Sequence, residues 1–190
     1  MKHQSIEISS QPVDVFTVEG PQDLPAVHEF ITSNPLLAVD TETTGLRIFS
    51  EDFRMHTLQV GNAVEAFVVP MPNVSIDDMR GLVASLVEPI FHNAKFDALV
   101  MDAVGIAPFN ETLDKAHDTR IMAHLLDPRG KPEGGTGHGL KALAEKLIGS
   151  NAQDSDNALK EHFKANGWNR EQGWAQIEAD DPVMALYGGM

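Results

Sequence analysis

The chain has 190 residues, 42% of them hydrophobic, and a formal net charge of −14 from 28 acidic and 14 basic side chains. That length sets the expectation of one domain with a sizeable core, and the apolar fraction excludes a disordered chain. The absence of cysteine excludes disulfides and thiolate zinc sites, while an acidic excess of this size has the wrong sign for gripping duplex DNA by counterion release.

From the N-terminus, residues 1–11 are polar and lack the apolar core of a secretory signal. Residues 13–18 read as a strand, 25–31 as a short helix and 36–41 as an apolar strand. Strands at 56–62 and 65–69 flank Gly61-Asn62, a hairpin turn signal. The spacing of Ile76, Met79, Leu82, Val83 and Leu86 predicts a helix over 76–87. A short strand at 89–91 follows, then helices near 95–104, 117–126, 139–148 and 156–165. Asp181-Pro182 is a strong helix start, with an acid at the cap and proline at the first position. Hairpins first and helix–strand crossovers later predict an α/β fold, a mixed β-sheet packed by helices. No apolar run reaches 18 residues, so no membrane span is expected and a cytoplasmic location is the default.

The chemistry concentrates in three places. Asp40-Thr41-Glu42 closes the 36–41 strand, and residues two apart on a strand share a face, so the two carboxylates converge. Like charges held together repel unless a cation sits between them, and an all-oxygen site suits Mg²⁺ or Mn²⁺. An isolated Asp-x-Glu would more simply be a strand ending in a capped turn. Downstream, His92-Asn93-Ala94-Lys95-Phe96-Asp97 joins a strand to a helix. Asn93 fits an N-cap and Asp97 the first helical turn, where an acid is favoured. These residues alone leave capping and metal ligation open. Third, Tyr187 lies in the helix begun by Asp181-Pro182, and its surface neighbour four residues on falls one position beyond Met190.

These segments, in this order, resemble the DEDD superfamily of 3′-5′ exonucleases, tyrosine branch. Within it the likeness is to the proofreading domain of family A DNA polymerases, especially those of actinobacterial bacteriophages. Asp40, Glu42, Thr43 and Leu46 match the first motif, Asn93, Phe96 and Asp97 the second, and Tyr187 half of the third. The resemblance implies a ribonuclease H-like three-layer fold over residues 13–190, with 1–12 as an N-terminal extension. The fourth family carboxylate would follow Met190, so the domain is expected to be truncated within its third motif.

By the same resemblance, Asp40, Glu42 and Asp97 hold two Mg²⁺ or Mn²⁺ ions and Tyr187 orients the attacking water. Thr43, Leu46 and Asn93 position the terminal nucleotide, Leu46 as an apolar wedge against the bases. The implied substrate is a single-stranded or frayed DNA 3′ end, and the implied partner a C-terminal polymerase domain absent from this chain, both in the host cytoplasm. An RNA exonuclease of the same branch, a non-catalytic strand-binding module and a plain cation-binding domain are the competing expectations.

Other features are weaker. The Gly/Pro-rich stretch 127–139 has neither the preceding strand nor the Gly-Lys-Ser/Thr ending of a phosphate loop, and is expected to be a loop from which Arg129 and Lys131 reach a phosphate. His117 and His124, seven apart on one expected helix, lack the i,i+4 spacing of a zinc pair. Trp168 and Trp174 are expected to pack between helices.

Overall fold

A computed structural model of the chain describes residues 1–8, 10–149, 152–179 and 181–188. Its strands are β1 (Lys2–Ile8), β2 (Gln11–Thr17), β3 (Leu36–Thr43), β4 (Met55–Gly61), β5 (Glu65–Pro70), β6 (Glu88–Phe91) and β7 (His117–Asp118). They form one mixed sheet in the order β1-β2-β5-β4-β3-β6-β7. The helices are α1 (Leu24–Ser33), α2 (Ile76–Ala84), α3 (Ala94–Ala103), α4 (Phe109–Lys115), α5 (Thr119–Leu126), α6 (Leu140–Ile148), α7 (Ala152–Ala165), α8 (Arg170–Gln176) and α9 (Pro182–Gly188). This is the expected α/β architecture, a mixed sheet with flanking helices. Among the described residues no helix is long and apolar enough to cross a membrane.

Strand alternation divides the central sheet into two unlike faces. Leu37 and Val39 of β3, Leu58 and Val60 of β4, and Phe67 and Val69 of β5 point to one side. There they pack with Val27, Phe30 and Ile31 of α1, Met79, Leu82 and Val83 of α2, and Val100 and Met101 of α3. The alternate positions carry Asp40 and Glu42 on β3, with Gln59 and Thr57 as their partners on β4. Burying the first set drives folding, and the period of two then sends the acids to the other face. A separate apolar cluster of Leu159, Phe163, Ile177 and Met184, with Trp168, Trp174 and Tyr187 against it, knits α7, α8 and α9 together. The expected packing role of the two tryptophans is met there.

Several boundaries differ from expectation. Lys2–Ile8, to which the sequence assigned no element, pairs antiparallel with β2, and Ile6 and Ile8 pack on Val13, Val15, Ala66 and Val68. The helix expected over 76–87 stops at Ala84. The Ser85 hydroxyl bonds back to the Gly81 carbonyl at 2.8 Å, and the Glu88 N–H goes to Pro35 O at 2.9 Å, which draws the chain into β6. His117 is not on a helix with His124. It pairs with Ile90 in the sheet, and α5 begins only after Asp118. Neither α4 nor α8 was expected. Met190, the residue before the expected fourth carboxylate, lies outside the described residues.

Candidate active site

The site is built where two parallel strands part company. β3 and β6 are paired only from Leu36↔Glu88 to Ala38↔Ile90. Beyond that, among the described residues, the β3 edge has no ladder partner on this side, and Asp97 takes the place of one. Its Oδ1 accepts the Thr41 N–H at 3.1 Å and the Thr41 hydroxyl at 2.7 Å, and the residue is 3% exposed. A register shift between Glu42 and Thr43, opposite Met55, bends the end of β3 just past the acids. Asp97 is thereby brought beside Asp40 and Glu42.

Asn93 adopts a left-handed conformation at φ 77° and ψ 51°, which asparagine tolerates better than most residues, and this turns the chain from β6 into α3. The expected capping by its side chain is not found. Asp118 does the work instead, accepting the Asn93 and Ala94 N–H groups at 3.1 and 2.9 Å. The same carboxylate accepts the Arg120 and Ile121 N–H groups at 2.9 and 3.3 Å, so one side chain caps α3 and α5 together. Burial works against its charge, but these backbone donors outweigh it and hold Asp118 below the ordinary carboxylate range. The Asn93 side-chain oxygen accepts from Arg120 Nη1 at 2.9 Å.

The three acids are electrostatically one unit. Desolvation lifts Asp40 to about 6. Desolvation, then repulsion from Asp40, lifts Asp97 to about 7 despite its bonds to Thr41. Glu42 is pushed well above its ordinary value by desolvation, then by Asp40 and Asp97, with Lys141 pulling the other way. Asp40 is exposed to solvent, Glu42 half-buried and Asp97 buried, so the group opens to solvent at Asp40. Asp40 thus raises the proton affinity of both Glu42 and Asp97, as a like charge beside each would.

Among the described residues no three His, Asp or Glu side chains close around a point as metal ligands do. The donor chemistry nonetheless fits a hard divalent cation: three carboxyls, all oxygen, drawn from β3 and α3, two of them with their proton affinity raised by a neighbouring acid.

The remaining expected residues are placed less uniformly. Thr43 is buried, and its hydroxyl donates to the Gly45 carbonyl at 2.9 Å, bracing the turn after β3. Leu46 is 83% exposed. Tyr187 packs edge-on to Trp174 with ring centroids 5.5 Å apart, and Lys141 Nζ lies 5.1 Å from its ring centroid. Arg129 binds Asp127 at 2.8 Å through Nε. Sequence reasoning missed Asp118 and Lys141. Asp118 stood in plain view before Thr119-Arg120, a cap signal read as mid-helix, whereas nothing local distinguishes Lys141 from the other lysine of α6.

The 3′-5′ exonuclease family profile matches residues 15–178. The DNA polymerase of Mycobacterium phage L5 is 35% identical over 188 residues, 97% of this chain and 32% of that protein. The DNA polymerase of Mycobacterium phage D29 is 32% identical over 189 residues, 97% of this chain and 31% of that one. The chain thus spans about a third of the length of these relatives. The Nibbler EXO domain of Aedes aegypti superposes with a TM-score of 0.60 at 12% identity, covering 91% of this chain and 95% of that one, a likeness of fold.

Proposed function

The chain belongs to the 3′-5′ exonuclease family and has its ribonuclease H-like fold, and from that premise we propose that it removes terminal nucleotides from the 3′ end of single-stranded or frayed DNA at Asp40, Glu42 and Asp97. The observation that carries this reading is the convergence of these three acids: Asp40 and Glu42 flank Thr41 on β3, and Thr41 holds the Asp97 carboxylate of α3 through its N–H and hydroxyl. Exonucleases of this family use divalent metal ions, and in our reading the three carboxylates hold two Mg²⁺ or Mn²⁺. Ions bound there lower the pKa of a water molecule and stabilise charge on the leaving oxygen.

The chain's own residues do the rest. Thr41 fixes the Asp97 carboxylate through its N–H and hydroxyl, so that acid enters the reaction already oriented. Asp40 and Glu42, two apart on the same face of β3, act together as anionic ligands. In this reading the Tyr187 hydroxyl orients the attacking water. Asn93, Thr43 and Leu46 position the terminal nucleotide, Leu46 offering exposed apolar surface to a base. We also propose that the domain serves a phage DNA polymerase as its proofreading part, in the cytoplasm of the host cell, with a polymerase module alongside. The identity to two phage DNA polymerases supports that assignment over an RNA exonuclease.

Matched 5′-labelled DNA and RNA strands, together with duplexes having paired or frayed 3′ ends, test the reading in Mn²⁺. The expected products shorten stepwise from the 3′ end, fastest for single-stranded and frayed DNA. Internal cuts, shortening from the 5′ end or a preference for RNA would contradict it.

A further inference from the structure

Lys141 has no part in the reading above, yet it stands against Tyr187 and its charge reaches Glu42. It lies in the first turn of α6, the end of a helix at which a cation is disfavoured. Two interactions offset that cost. Its ammonium stands 5.1 Å from the Tyr187 ring centroid, within cation–π range, and its charge acts attractively on Glu42. The Tyr187 ring is therefore held by the Trp174 indole at one contact and by an ammonium at the other. The lysine links α6 to α9 through the Tyr187 ring. A solvated lysine on a helix surface would not have that ring contact.

We propose that Lys141 is a positioning residue of the exonuclease site, fixing the Tyr187 ring and balancing the Glu42 carboxylate until divalent cations enter. The proposal rests on the exonuclease reading for what Tyr187 does, but its physical content does not. An ammonium whose charge reaches Glu42 opposes the entry of further positive charge, so it sets how tightly the carboxylates bind an ion. Its hold on the ring sets how well the phenol is placed once they have.

Lys141→Met removes the charge and keeps most of the side-chain volume, and Lys141→Arg restores the charge. Lys146→Met is the control on the last turn of the same helix. Because Tyr187 is the chain's only tyrosine, labelled-tyrosine NMR gives a single set of ring signals. Those signals are expected to move in Lys141→Met and stay in place in Lys146→Met. Mn²⁺ affinity of the substrate-free chain, read from free Mn²⁺ by EPR, is expected to rise roughly three- to tenfold in Lys141→Met, the scale of one removed unit charge near the site. kcat is expected to fall about five- to tenfold with KM little changed, the size of a cation–π contact. The fall should vanish in a Tyr187→Phe background and be largely rescued by Lys141→Arg. Unmoved ring signals, unchanged Mn²⁺ affinity, or kcat effects that multiply independently of Tyr187→Phe would each overturn the proposal. Inactivity of the unaltered chain would count against the exonuclease reading instead, and the NMR and Mn²⁺ results would still decide the role of Lys141.

Discussion

Thr41 sits between the two acids of β3, and both of its polar groups go to Asp97. Replacing it with valine keeps the shape and the N–H bond while deleting the hydroxyl bond. Thr41→Val is expected to cost about 1–2 kcal/mol in urea unfolding, because one donor to a buried carboxyl is lost, and to slow trimming by misplacing Asp97. The three acids also set a pH dependence. Each has its folded pKa raised above the unfolded value, so the metal-free folded state holds protons that the unfolded chain releases. Stability is therefore greatest below about pH 4 for this set of groups and is lost as pH rises through about 6 to 7. Melting in EDTA should show the midpoint falling between pH 5 and pH 8, and Mn²⁺ should raise it more at pH 8 than at pH 5. A midpoint that rises over this range in EDTA would remove the case for a strained carboxyl cluster.

At the scale of elements, the site depends on how α3 is aimed at β3, and Asp118 does the aiming by capping α3 and α5 together. Asp118→Ala is expected to destabilise the fold by about 2 kcal/mol or more, beyond a single lost cap, and to reduce trimming as Asp97 drifts. A loss of a few tenths of a kcal/mol with full activity would contradict that role. The helices that carry Tyr187 lean on Gly173 of α8, where an added Cβ would overlap the Phe163 ring. Gly173→Ala should cost about 1–3 kcal/mol by overpacking and loosen α9, seen as lost protection in hydrogen exchange.

What the sequence made legible follows the same physics. The β3 acids and the strand-to-helix step into α3 were readable because period and capping are local. The short β7 was not, since two residues become a strand only by lying beside Ile90 and Phe91 of β6. β1 offers just Ile6 and Ile8 as apolar alternation, and α8 contains a glycine that reads as a breaker. Lys141 gains its meaning from α9 and β3, both distant in sequence.

For the whole molecule, net charge −14 leaves little positive surface for duplex DNA, so recognition is expected to be confined to a few terminal nucleotides beside the three carboxylates. Trimming of a single strand between 50 and 200 mM salt is then expected to slow by less than about tenfold, where a protein with six to ten phosphate contacts loses about a thousandfold or more. A steeper slope would mean a backbone-tracking surface elsewhere on the domain. The acids themselves oppose folding when ionised and uncompensated, so function and stability pull in opposite directions at one place.

The most direct test takes Asp97→Asn, which keeps the shape and can still accept from Thr41, and follows 5′-labelled single-stranded DNA in Mn²⁺ beside the unaltered chain, with both melted in EDTA at pH 8. Both proteins are also run with an aspartate-bearing helical turn appended after Met190. A 3′-end ladder is expected from the unaltered sequence in at least one of these forms, with its loss in Asp97→Asn and a melting midpoint for the variant equal to or above that of the parent. A ladder that survives Asp97→Asn, or silence from every form of a fully folded parent, would contradict that expectation.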